Sequence, residues 1–108
     1  MEKNQLLSII HSSEDIDIFA VKIKKDTNID RCKLQIAQCL KISYTIESFL
    51  NSNLELSVYK HIINDVIADL KIAHDSKSIN AIHSKINDCI YSNSVIYAYL
   101  IEYYKKLY

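Results

Sequence analysis

Apolar residues recur along the chain at helical spacing, and the intervals fall between runs of small polar residues. Leu6, Leu7 and Ile10 share one face of a first segment, about Lys3 to His11. Ser12-Ser13-Glu14-Asp15 then reads as a stop followed by a new N-cap, with acidic residues placed to suit a helix dipole. Ile16, Phe19, Ala20 and Ile23 follow at the i, i+3, i+4, i+7 spacing of an amphipathic helix. The alternation of Ile16, Ile18, Val21 and Ile23 offers a strand as the competing reading, but a lone strand would have no partner. After a turn at Asp26-Thr27-Asn28, a wide apolar stripe from Ile29 to Leu50 predicts the central helix. Asn51-Ser52-Asn53 marks the next turn. The cleanest pattern lies in a segment from about Leu54 to His74, with Tyr59, Ile62, Ile63, Val66, Leu70 and Ala73 on one face.

The last segment, Ile79 to Leu107, keeps apolar residues in register, but as one helix it would be about 43 Å long against about 31–33 Å for its neighbours. Two outcomes follow: a break at Ser92-Asn93-Ser94, or an end that overhangs the bundle. Asn93 falls in the apolar register, so a continuous helix must bury an amide or present it at an interface. No internal repeat stands out from the residues. The pattern predicts one domain, residues 1–108, folded as an all-α antiparallel bundle of four to five helices.

Composition sharpens this. The chain of 108 residues has no Gly, no Pro and no Trp, and 13 basic residues balance 13 acidic ones. Without glycine, a Walker loop, a dinucleotide fingerprint and a G-x-S-x-G elbow are excluded, and tight hairpins become costly. Zero net charge, with Arg31 as the lone arginine, argues against a dedicated nucleic-acid binder. The basic group Lys22, Lys24, Lys25, Lys33 and Lys41 follows Glu14, Asp15 and Asp17 and reads as a solvated charged face. Ile (19), Lys (12), Asn (8) and Tyr (8) are abundant, and all have AT-rich codons, so an AT-biased gene accounts for part of the tyrosine load.

Cys32, Cys39 and Cys89 form no zinc spacing. Cys32 and Cys39 sit about 10 Å apart on one helix, beyond disulfide reach, so reduced buried thiols are expected. The N-terminus carries no signal-peptide pattern, and the uncharged run Cys89 to Ile101 is too short and too polar to span a bilayer. A cytoplasmic protein without membrane contact is the expectation.

Candidate chemistry is sparse. His61, Asp65 and Asp69 form one row at i, i+4, i+8, and Asn64, Asp75 and Asp88 extend an acidic area. A metal needs three or four converging ligands, so neither a metal nor another cofactor is expected. His11, His61, His74 and His83 are scattered, with no neighbouring Cys or Ser in a catalytic arrangement, and no enzymatic activity is expected. Six of the eight tyrosines fall in the last 18 residues and point in several directions on one helix. Tyrosine suits protein interfaces. The expectation is therefore a protein-binding bundle, foremost an immunity or antitoxin-type protein that covers a basic toxin domain. Asp65, Asp69, Asp75 and Asp88 with Tyr97 and Tyr104 would form the partner-binding surface. The alternatives are a small secretion chaperone or self-associating adaptor, with a homodimer through the C-terminal helix, and a phage- or mobile-element-encoded inhibitor of a host protein.

Overall fold

The computed structural model describes residues 2–108. Four helices make up the bundle: α1 (Lys3–Lys25), α2 (Ile29–Ser52), α3 (Lys60–Asp75) and α4 (Ile79–Leu107). Each helix packs against two neighbours, α1 on α2, α2 on α3, α3 on α4, and α4 back on α1, which closes an up-and-down ring. The molecule measures 43 × 20 × 18 Å, so its long axis matches the length of α4.

Turn chemistry sets the hairpins. Three residues separate α1 from α2 and three separate α3 from α4, and each turn ends in an N-cap. Asn28 accepts from the backbone N–H of Arg31 at 2.9 Å, and Ser78 Oγ accepts from Ala81 N–H at 3.1 Å. These caps satisfy amide donors that a first helical turn leaves unpaired. The first corner is braced further. Asp26 takes two hydrogen bonds from Arg31, at 2.9 and 3.0 Å, and its carbonyl lies 2.9 Å from His83 Nε2 in α4. The Arg31 contacts, and after them the Asn28 N–H, hold the Asp26 carboxyl down at about 2.

Two expectations about element boundaries need correction. No break occurs at Ser12–Asp15; α1 runs through it, while Ile16–Ile23 is helix, the favoured of its two readings. Ser12 returns its hydroxyl to the Ser8 carbonyl, and Ser13 turns inward instead of capping. The third helix starts at Lys60, not Leu54. Residues 53–59 instead form a tight connection with a 3₁₀ turn at Ser57–Tyr59, pinned by fully buried Leu56. Asn53 Nδ2 donates to the Phe49 carbonyl at 2.7 Å, which ties down the end of α2.

Of the two outcomes open for Ile79–Leu107, the unbroken helix is found: α4 runs through Ser92–Ser94. Its far end is flanked on one side by the start of α1 and on the other by the 53–59 connection. Asn93 is fully buried and completely paired. It accepts from Ser13 Oγ at 3.1 Å, and its Nδ2 donates to the Ser13 carbonyl at 2.9 Å and to Asp17 Oδ1 at 3.0 Å. An amide in the apolar register is tolerated because α1 supplies a hydroxyl, a carbonyl and a carboxylate where it lands.

Packing also brings out a repetition along the chain. Cys32, Ile36, Cys39, Ser43, Ile46 and Leu50 of α2 are buried, and so are Ile82, Ile86, Cys89, Asn93, Ile96 and Leu100, each 50 positions later in α4. The same displacement relates Leu6, Ser13, Ile16, Ala20 and Ile23 to Leu56, Ile63, Val66, Leu70 and Ala73. The seams step by three and four residues, the heptad spacing of coiled-coil packing. Leu6/Leu56, Ile36/Ile86, Cys39/Cys89, Ile46/Ile96 and Leu50/Leu100 are identical pairs, and at most of the other positions burial keeps the apolar character while the residue changes.

Candidate docking surfaces

The acidic residues divide by helix face. Asp65 and Asp69 on α3, with Asp88, Tyr91 and Ser92 on α4, line one open depression of about 340 Å³ in the α3–α4 groove. Burial pushes the Asp69 carboxyl up, and the charges of Asp88 and Asp65 add to this, while Lys85 opposes it. Lys85 reaches Asp88 at 3.3 Å, so one cation faces three carboxylates. Tyr91 stands at the rim with 74% of its surface exposed. Asp75 does not join them: it ends α3, 84% exposed, with His74 Nδ1 at 3.5 Å.

Tyr97 and Tyr104 lie elsewhere. At 100° per residue, Tyr97 is about 180° and Tyr104 about 160° around α4 from Asp88. Tyr97 is half-buried in a shallow groove with Ile101 and Lys105, and Tyr104 packs near Lys3 of α1 and the Tyr108 ring. No single flat partner can touch both sets at once. The aromatic that shares the acidic groove is Tyr91, three residues and about 60° from Asp88. Helical-wheel arithmetic on the sequence would have picked it out, whereas clustering along the chain does not.

A second surface closes the opposite end of the bundle from the two short turns. Tyr59 and Tyr99 stack with ring centroids 4.3 Å apart, and Tyr103 donates its hydroxyl to Glu55. That bond holds the Tyr103 hydroxyl up at about 12. Glu102, Lys105 and Lys106 complete a cleft of about 490 Å³. Beside it the connection exposes Leu54 (88%) and Val58 (64%), the two sides of the turn that buries Leu56.

The remaining candidates stay apart. His11 contacts Glu14, His61 Nδ1 lies 3.0 Å from the Val58 carbonyl, His74 neighbours Asp75, and His83 braces the Asp26 corner. Thus His61 points away from the row it forms with Asp65 and Asp69 in sequence. Among the described residues no group of three or more His, Cys, Asp or Glu could hold a metal ion. All three cysteines are free and buried, and burial pushes Cys32, Cys39 and Cys89 up, Cys39 to about 12. Thiols so held are poor nucleophiles. No helix among the described residues is long and apolar enough to cross a membrane.

Fold and surface together define a four-helix up-and-down bundle with an acidic groove on one side and an aromatic end. No family model, no curated protein and no solved structure matches the chain.

Proposed function

We propose that this protein acts by binding another protein and not by turnover, as an immunity or antitoxin-type inhibitor whose α3–α4 groove docks a basic toxin surface. The observation that carries the reading is the crowding of Asp65, Asp69 and Asp88 into one groove beside exposed Tyr91. Like charges held together, one of them partly desolvated, disfavour the free fold, and a basic partner relieves that repulsion. Acidic steering speeds encounter, and a rigid aromatic slows release. Asp75, Tyr97 and Tyr104 fall outside this docking face.

The test is coexpression with products of the neighbouring genes, followed by rate measurements on any complex. A toxic neighbour that copurifies is expected. Its association should slow about tenfold in the Asp65→Asn/Asp88→Asn variant at low salt, with the difference shrinking as salt rises. If no neighbour is toxic alone and none copurifies, the inhibitor reading fails. If a partner binds the variant at the wild-type rate, the groove is the wrong face.

Exposed Leu54 and Val58 beside the tyrosine cleft favour a second reading, a chaperone-like or self-associating adaptor that covers an apolar segment. It predicts a concentration-dependent dimer in sedimentation, lost in Leu54→Ser/Val58→Ser. A strictly monomeric protein counts against the dimeric form.

A further inference from the structure

Two hairpins with matching seams can pair in more than one way. The three-residue turns fix alignment within each hairpin, between α1 and α2 and between α3 and α4. No such short tie joins α4 to α1, and the link from α2 to α3 is the longer 53–59 connection. A heptad seam offers apolar residues again after a shift of seven positions. Matching burial at a displacement of 50 residues also lets either hairpin present its seam to a copy of itself. Apolar contacts alone discriminate weakly among these arrangements.

We infer that Asn93, with Ser13 and Asp17, is an alignment lock that selects the α1–α4 pairing of this fold over its alternatives. The central layer is the one place where the four helices differ in polarity: Ser13, Ser43, Ile63 and Asn93 occupy equivalent seam positions. Ser43 satisfies itself by donating to the Cys39 carbonyl at 2.8 Å, and Ile63 needs nothing. Asn93 alone requires partners from another helix, and it finds three bonds on α1. A slip of seven residues would set it against Leu6 and Ile10 or against Ala20 and Lys24. Pairing the α3–α4 hairpin with its own copy would set it against Ile63 and Ile67, which offer no side-chain acceptor. Each alternative strands the buried Asn93 amide, whereas the observed packing pairs it on α1. A single polar side chain at a seam position is an attested way to fix alignment at some expense of stability.

The experiment replaces the amide with a hydrocarbon. Asn93→Leu, and Ser13→Ala/Asn93→Leu to make room for the larger side chain, are compared with wild type by circular dichroism, amide-resolved NMR and sedimentation. Expected is retained helicity with loss of a single state: doubled or broadened amide peaks near α1 and α4, or a dimer fraction raised at least tenfold at equal concentration. One sharp peak per amide and an unchanged dimer fraction in either folded variant would overturn the inference. Loss of helicity in both variants would overturn it too, because Asn93 would then support the fold itself rather than choose among packings.

Discussion

Asn93→Ala tests the most consequential contact in the core. The substitution removes three hydrogen bonds at once, two to Ser13 and one to Asp17. The two bonds to neutral groups contribute about 1 kcal/mol each, and a bond to an ionised group about 1.5–3 kcal/mol. Part of this is recovered. Ser13 Oγ can turn to the Ile9 carbonyl as Ser43 does to Cys39, the Ser13 carbonyl keeps its helical donor, and half-buried Asp17 regains water. Alanine returns about 0.7 kcal/mol in helix propensity. The space left behind subtracts about 1 kcal/mol. The net expectation is a loss of about 2–3 kcal/mol, which for a domain of this size lowers Tm by about 10 °C. Urea and thermal unfolding followed by circular dichroism measure it, with an unchanged denaturant slope showing that the unfolded state is unaltered. Ser13→Ala should remove about 1 kcal/mol, and the double variant should show coupling of about 1 kcal/mol. A loss below about 0.5 kcal/mol for Asn93→Ala, or additive effects, would mean that the amide is not paired across α1 and α4.

Other expectations follow from neighbouring features. Asp69→Asn should stabilise the protein at neutral pH, because the folded state holds this carboxyl above its ordinary range; the advantage should fade as pH falls through that range and the wild-type group protonates, which urea midpoints at several pH values will show. Asp26 has the opposite sign: its depressed titration gives stability that is complete above about pH 4 and lost towards pH 2, so Arg31→Met should blunt the acid limb of the stability curve relative to wild type. The three thiols should resist a thiol reagent in the native state and react together on unfolding, and rapid modification of any one without denaturant would contradict their burial. Leu56→Ala should cost about 2–5 kcal/mol by chemical denaturation although it lies in a connection, since it is the buried anchor of residues 53–59.

The sequence by itself determined the class of fold. Apolar spacing at 3.6 residues, capping residues at 28 and 78, and the absence of glycine and proline leave antiparallel helices as the consistent solution. It also located α2 and the start of α4 correctly, because a strong stripe and a good cap coincide there. Boundaries failed where a polar residue has two uses. Ser12, Ser13, Ser92 and Asn93 are capping types; from the chain alone the first two read as a helix end, and the last two leave a break and an unbroken helix both open. Only the approach of α1 to α4 makes Ser13 and Asn93 partners and keeps both helices whole. The surface divided in the same way. Acidic residues were visible as a group, but the crossing of α3 and α4 decided that Asp65, Asp69 and Asp88 share a groove with Tyr91, while Asp75, Tyr97 and Tyr104 face elsewhere. Local pattern reports what each helix will bury, because burial follows from the period of one helix. Which side chains meet depends on rotation and alignment between helices, and those are fixed by contacts that lie about 80 residues apart in the chain.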